Sequence, residues 1–420
     1  MSRRVVITGL GLCTPVGRSV DECWQNLRAG RSGIGPITLF DAGALPVRIG
    51  GVVKKLEIAR LAEKFPVVAS EKDRKLWLGL DAASQAFADS GIPAVAFERA
   101  LLLVGVSLEA FFLEQVTPVV QAENLARALA ERLLRQRCVE RLQTPLDRLT
   151  QILGDYYGVQ GRRFTNGSAC AAGAQVIGEA FRRLRDGSAD VAIAGATDSS
   201  LNPLGLGGFS LLQILSTENE QPQTACRPFD ATRQGTVLAE GAAFVVMEAL
   251  EHAQHRGARI YAEVLGYGSS LDAYRVTDPE PTGRGAALSI AKAIQDAGLT
   301  PGEIDCVNAH GTGTPKNDVA ETLAIKQTLG KRAYEVPVTA NKSMTGHMIA
   351  TSGAAEVIVS AMTLFRREVP PTINLTHRDP QCDLDYVADG CRAFGGRTVL
   401  SNSFGFGGQN ASLVFGRYEP

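Results

Sequence analysis

The sequence predicts an α/β protein assembled from two related halves. Three observations carry this. Short apolar, β-branched runs alternate with longer stretches of helical period. The segment Ala86–Ile92 resembles Ala293–Leu299, each a helix end, a glycine cap and an apolar residue. Cys170–Ala174 stands beside Ala350–Ala354, each opening a helix rich in small and apolar residues. In that pairing the first copy carries a cysteine and the second an alanine.

Taken in order, Arg4 to Thr8 predicts a strand and Val20 to Arg28 a helix. Buried strands follow at Leu101 to Val106, Asp190 to Ala194, Tyr261 to Leu265, Cys306 to Ala309, Val336 to Ala340, Thr398 to Ser401 and Ala411 to Phe415. Helices are expected at Lys75 to Ser90, Ala171 to Arg185, Arg284 to Ala297, Val319 to Leu329 and Gly353 to Arg367. Halves of 1–255 and 256–420 result, with a helical cap inserted near 107–160. The cap carries Arg127, Arg132, Arg135, Arg137 and Arg141, a solvated amphipathic face or a partner-docking surface.

With 420 residues, 45% hydrophobic and 21% charged, the chain buries sizeable cores, and disorder is excluded as its main state. A net charge of −1 without long like-charge blocks argues against a nucleic-acid coat or a polybasic membrane anchor. Eight cysteines without a CxxC pair supply no zinc spacing, so no metal is expected, and a reducing cytoplasm fits best. The apolar stretch after Arg3 and Arg4 is too short for a signal segment. No run reaches the ~18 apolar residues of a membrane span.

Cys170, in Thr165–Gly173, sits among small residues at a helix start, where the positive end of the dipole favours thiolate. Most cytosolic cysteines are simply small core residues, but few have this setting. Histidine is scarce. His252, His255 and His377 lie in polar stretches and read as surface or loop residues. His310 and His347 each lie beside glycine just past a buried strand, where α/β sheets form sites, although either alone also reads as a satisfied core histidine. Asn402–Asn410 is a glycine-rich connection that opens a strand and not a helix, which disfavours a phosphate cradle and leaves its N–H groups free to face an oxyanion. Lys342 and Glu356 flank His347 as a pair that either fixes geometry or moves protons.

In order, the chain carries SAC around Cys170, PLGLGGF at Pro203–Phe209, LSTENEQP at Leu215–Pro222, RPFD at Arg227–Asp230, NAHGTGTP at Asn308–Pro315, NKSMTGH at Asn341–His347 and NSFGFGGQN at Asn402–Asn410. With these motifs it resembles, end to end, the elongating, acyl-carrier-protein-dependent β-ketoacyl synthases of thiolase-like fold. The resemblance implies a layered α-β-α-β-α architecture and a cytoplasmic dimer. It implies decarboxylative Claisen condensation of malonyl-carrier with an acyl group on Cys170, in fatty-acid or type II polyketide elongation. His310 and His347 become the condensation pair, with Lys342 and Glu356 supporting them. The backbone N–H groups of Cys170 and Phe404 become the oxyanion hole. Thr312 and Thr314 become contacts for the phosphopantetheine arm, Phe209, Phe404 and Phe406 substrate contacts, and Phe404 a gate. No cofactor is expected beyond the carrier's phosphopantetheine.

Departures bear on specificity. GVSLEAFFLEQ, from Gly105 to Gln115, stands where the family has a glycine-rich turn after the strand ending near Val106, Lys316-Asn317 replaces a small pair, and Gln409 replaces threonine. Alternatives are a subunit of a ketosynthase/chain-length-factor heterodimer in polyketide or polyene synthesis, a thiolase, or a non-catalytic binder of acyl carrier. An acidic carrier calls for a basic patch, for which Lys72, Arg74 and Lys75 are candidates, alongside the arginines of the cap.

Overall fold

The structure is a computed structural model describing residues 3–93, 99–108 and 143–419 and, between them, 110–111, 117, 121, 123–124, 126–128 and 130–131. Its main sheet uses β1 (Val5–Cys13), β2 (Leu101–Gly105), β3 (Arg163–Asn166), β4 (Val191–Ser199), β5 (Glu240–Ala249), β6 (Ala262–Leu271), β7 (Val307–Asn308), β8 (Val338–Thr339), β9 (Thr398–Gly405) and β10 (Gln409–Gly416). Across the sheet they run β8-β7-β9-β10-β6-β1-β5-β4-β2-β3.

That order contains a repeat. In each half the strands, numbered within the half, lie 3-2-4-5-1. In each, strands 1, 5 and 4 pair antiparallel, and strands 4, 2 and 3 pair parallel. The halves join where Val5–Ile7 pairs with Ala262–Val264. Both first strands also carry a register shift at the same place, between Ile7 and Gly9 and between Val264 and Gly266.

The helices repeat with the strands. Among the described residues the longer ones are α1 (Val20–Arg28), α2 (Arg74–Ser90), α3 (Arg148–Tyr156), α4 (Ala172–Arg185), α5 (Pro203–Leu211), α6 (Arg284–Asp296), α7 (Pro315–Leu329) and α8 (Ala350–Arg366). After strand 1 of each half, α2 and α6 lie across bare strand backbone. A Cβ on Gly9 or Gly11 would sit 2.5 or 1.9 Å from the Ala86 or Ala82 carbonyl oxygen. On Gly266 or Gly268 it would sit 2.3 or 2.1 Å from that of Ala293 or Ser289. Both helices are followed by left-handed glycines, Gly91 (φ 61°) and Gly298 (φ 68°).

Five layers result. Helices α2 and α3 cover the first half's outer face, and α6, backed by α7, covers the second's. Between the two half-sheets, α4 and α8 pack on strands of both halves and on each other. This is the thiolase-like α-β-α-β-α architecture. At the centre Gly173 of α4 faces the Ala350 carbonyl and Gly353 of α8 faces the Ala174 N–H, so the helices meet backbone to backbone. Each buries its residues against apolar neighbours, Val176, Ile177 and Phe181 on one and Val357, Ile358 and Met362 on the other.

Part of the expected cap, with Arg132, Arg135, Arg137 and Arg141, lies outside the described residues; Arg127 is exposed and pairs with Glu131. Arg148–Tyr156 is not cap but outer layer, because Leu149, Ile152 and Leu153 bury against α2 and the sheet. Among the described residues no helix is long and apolar enough to cross a membrane.

Candidate active site

Cys170 is delivered by a sharp turn between β3 and α4. The Asn166 carboxamide oxygen accepts the Ser168 N–H at 2.7 Å, and Ala169 takes a left-handed φ of 48°. A single turn of 3-10 helix, Ala169–Ala171, then leads into α4. Small neighbours are required: a Cβ on Gly405 of the β9–β10 hairpin would lie 3.2 Å from the Cys170 nitrogen.

The two histidines come from the other half. His310 follows β7, and its N–H and that of Gly311 each donate to the Glu321 carboxylate of α7 at 2.8 Å. His347 follows the short helix Lys342–Thr345, and its backbone bonds to the Val237 oxygen and the Ala239 N–H. The site gathers at the junction of α4 and α8. His347 Nε2 lies 3.2 Å from Cys170 Sγ, and the His310 and His347 rings stand edge to face with centroids 5.4 Å apart. All three side chains are buried.

Lys342 sits behind His310, with its ammonium against the His310 oxygen (2.6 Å), His310 Nδ1 (3.2 Å) and Glu356 Oε1. An ammonium only donates, so His310 Nδ1 carries a lone pair and its proton is on Nε2. His347 Nδ1 instead meets the Ser352 hydroxyl at 3.0 Å, which can donate or accept.

Burial sets the protonation. It holds both imidazoles well below their ordinary 6.5, with the Lys342 charge lowering each further, so both are neutral. Burial raises the Glu356 carboxyl against the pull of Lys342, and raises Glu321 to about 7 against its backbone donors. The expected thiolate is reversed: burial pushes the Cys170 thiol up to about 12, outweighing the Lys342 charge and the Phe406 N–H that favour its anion. Burial outweighs the helix terminus, and the resting nucleophile is a thiol beside a neutral imidazole.

A cavity of about 330 Å³ opens from Cys170, His310 and His347 to the exposed Pro315 and Lys316. Phe209, Thr312, Thr314, Phe404 and Phe406 also line it, so every expected substrate contact faces one space; Lys342 and Glu356 lie behind it. Thr312 and Thr314 share a hydroxyl hydrogen bond of 2.8 Å, and Phe209 stacks on Phe406 at 6.5 Å. One expectation moves. Phe404 is a strand residue in register with Asn410, its ring against His310 at 5.8 Å, whereas the N–H that reaches Cys170 sulfur is that of Phe406.

The proposed basic patch is corrected in part. Lys75 is buried and bonds Asp73 and the Leu108 oxygen, and Arg74 bonds the buried Glu240; Lys72 is exposed. His252 pairs with Glu248, and His255 and His377 are exposed. Among the described residues no cluster of metal-ligating side chains forms. Sequence inspection passed over Glu321, Ser352 and the Phe406 N–H. Ser352 was reachable, since a residue in the first turn after His347 lies beside the imidazole.

Residues 2–253 match the family described as beta-ketoacyl synthase, N-terminal domain, and residues 261–376 that described as beta-ketoacyl synthase, C-terminal domain. The 3-oxoacyl-[acyl-carrier-protein] synthase 2 of Synechocystis sp. is 40% identical, with 99% of each chain covered. The same-named protein of Staphylococcus aureus (strain COL) is 37% identical, over 100% of this chain and 99% of that one. The solved ishigamide ketosynthase/chain length factor superposes with a TM-score of 0.87 at 33% identity over 100% of both chains. A type II PKS ketosynthase solved in complex with its acyl-carrier protein gives 0.85 at 31%, again over 100% of both.

Proposed function

The chain belongs to the β-ketoacyl synthase family, and on that premise we propose that it condenses an acyl group held on Cys170 with malonyl-acyl-carrier protein, releasing carbon dioxide and β-ketoacyl-carrier protein. The observation that carries the proposal is a buried thiol 3.2 Å from a neutral imidazole, with a second imidazole alongside, at the inner end of an aromatic-lined cavity.

The chemistry follows from those parts. Cys170 attacks the thioester of the acyl carrier while its proton passes to His347 Nε2; the departing carrier thiolate takes that proton, leaving acyl-Cys170 and a free carrier thiol. Malonyl-carrier then enters past Thr312 and Thr314. Its C–C bond to the carboxylate breaks, carbon dioxide leaves, and the electron pair becomes an enolate whose oxygen the Nε2–H groups of His310 and His347 stabilise. The enolate carbon attacks acyl-Cys170. The N–H groups of Cys170 and Phe406 hold the tetrahedral oxyanion, which collapses with loss of the Cys170 thiolate. That thiolate takes up one proton to reset the site.

In this proposal the nucleophile comes from the half 1–255 and the imidazoles from 256–420. The substrates ride on a carrier's phosphopantetheine rather than on a cofactor held by this chain. Relatives named 3-oxoacyl-[acyl-carrier-protein] synthase 2 favour chain elongation, and cysteines without a pairing pattern favour a cytoplasmic setting for it. The ketosynthase/chain length factor likeness favours a dimeric partner, identical or related. Cys170 makes this chain the nucleophile-bearing subunit, since a silent partner or passive binder has no use for a thiol against an imidazole. Of the three expected docking residues, an acidic carrier reaches Lys72, which is exposed. The test supplies acyl-carrier and malonyl-carrier together and follows β-ketoacyl-carrier and carbon dioxide. Product from the wild type and none from Cys170→Ala supports the proposal; product from Cys170→Ala refutes it.

A further inference from the structure

The two imidazoles differ in what faces Nδ1. His310 Nδ1 faces the Lys342 ammonium at 3.2 Å, which can only donate, so His310 is a permanent Nε2–H donor. His347 Nδ1 faces Ser352 Oγ at 3.0 Å, and that oxygen also accepts the Met348 N–H at 3.0 Å. With one lone pair used by Met348, the hydroxyl keeps both a hydrogen to donate and a lone pair to accept with. Ser352 is 1% exposed, so water does not compete for it.

We infer that Ser352 is a positioning residue that lets His347 exchange tautomers, its hydroxyl accepting from Nδ1–H in one state and donating to Nδ1 in the other. The inference rests on the proposed reaction, whose half-steps make opposite demands. Acyl transfer needs a lone pair at Nε2 to take the Cys170 proton, and decarboxylation needs an Nε2–H to hold the enolate oxygen. A backbone carbonyl at Nδ1 would serve only the first demand and an ammonium only the second. A hydroxyl on the first turn of α8 serves both by rotating about one bond.

The groups facing His347 are Cys170 from the first half, His310 and Lys342 from their own half, and Ser352 on α8. In Ser352→Ala the Met348 N–H loses its acceptor Ser352 Oγ, and its turn toward the lone pair of Nδ1, which shared that oxygen, is expected to fix the proton on Nε2. Acylation of Cys170 by acyl-carrier then slows about a hundredfold, the lower end of what a proton-transfer partner contributes. Carbon dioxide release from malonyl-carrier stays within about threefold, because the required Nε2–H is retained.

The experiment measures both half-reactions separately for wild type, Ser352→Ala and Ser352→Thr, with NMR of nitrogen-labelled histidine in the full-length protein and His347→Gln to assign the signal. Expected are selective loss of acylation in Ser352→Ala, rescue in Ser352→Thr, and a His347 signal averaged over two tautomers that becomes a single Nε2–H form in the alanine variant. A wild-type His347 held in one tautomer overturns the inference, as does equal slowing of both half-reactions or failure of threonine to rescue. The spectra decide it even where the variant alanine protein is unstable. They also decide it apart from the reaction itself, whose failure would appear as a wild-type Cys170 that takes no acyl group.

Discussion

Gly173→Ala tests the link between the duplicated fold and the chemistry. The new Cβ would lie 2.6 Å from the Ala350 carbonyl oxygen and 2.8 Å from the Ala354 nitrogen, both backbone atoms of α8. Restoring van der Waals contact requires α4 and α8 to part by about 0.8 Å. Overpacking of this kind costs ~1–3 kcal/mol, while replacing a helical glycine by alanine returns ~1 kcal/mol, so net destabilisation is at most ~2 kcal/mol and the fold survives. The site does not survive as well. Cys170 precedes α4 by two residues and His347 precedes α8 by three, so parting the helices stretches their 3.2 Å contact beyond hydrogen-bond reach. A misplacement near 1 Å costs on the order of a hundredfold in rate. The assay compares condensation rate, iodoacetamide alkylation of Cys170 and circular-dichroism melting for wild type and variant. A folded variant with a rate about a hundredfold lower is expected. A variant within twofold of wild type would refute the claim that the backbone contact of these helices sets the distance between thiol and imidazole.

Lys342→Met removes the ammonium while leaving Glu356 and His310 Nδ1 buried, at a cost of ~3–5 kcal/mol for breaking a buried pair. Malonyl-carrier decarboxylation should fall more than Cys170 alkylation, since His310 loses the donor that fixes its tautomer; equal losses would contradict this. The pH dependence of stability follows from the buried groups. His310 and His347 are held far below 6.5, so the unfolded chain takes up protons the folded one refuses, and stability complete above pH 6.5 is lost below it at ~1.4 kcal/mol per unit for each. Glu321, raised from 4.5 to about 7, has the opposite sign: its contribution is complete below pH 4.5 and lost as pH rises to about 7. Urea midpoints between pH 7.5 and 5 should therefore show His310→Asn less acid-sensitive than wild type and Glu321→Gln more so. The reverse order would contradict the assigned protonation states.

Much of this was legible in the sequence because the informative residues are scarce or sterically exacting. The helix Val20–Arg28 matches at both ends, since Ser19 caps it and its apolar face has helical period. The repeat was visible at two glycine-capped helix ends and two helix openings, and the structure extends it to Gly9, Gly11, Gly266 and Gly268 on the strands beneath. Cys170, His310 and His347 stood out by their small neighbours, and the fold brings them together. What was hidden depends on long-range pairing. Strand β5 was missed although Gly241–Met247 is an unbroken apolar run; the carboxylates that bound it, Glu240 and Glu248, look like surface ends and are buried because Arg74 and Arg256 reach them. Edge strand β3, with Arg163 and Phe164 exposed, lacks the apolar signature of a buried strand. Arg74 and Lys75 look like surface charges until Glu240 and Asp73 are placed beside them. The thiol's protonation turns on how deeply the fold buries the sulfur, which no local motif encodes.

The central claim concerns which atom receives the acyl group, and peptide mapping by mass spectrometry after brief incubation with acyl-carrier protein alone reads it directly. A single acyl mass on the peptide containing Cys170, absent from Cys170→Ala and slowed in His347→Gln, is the predicted result. An acyl mass on another side chain, or a wild-type Cys170 that stays unmodified while product still forms, would contradict the account.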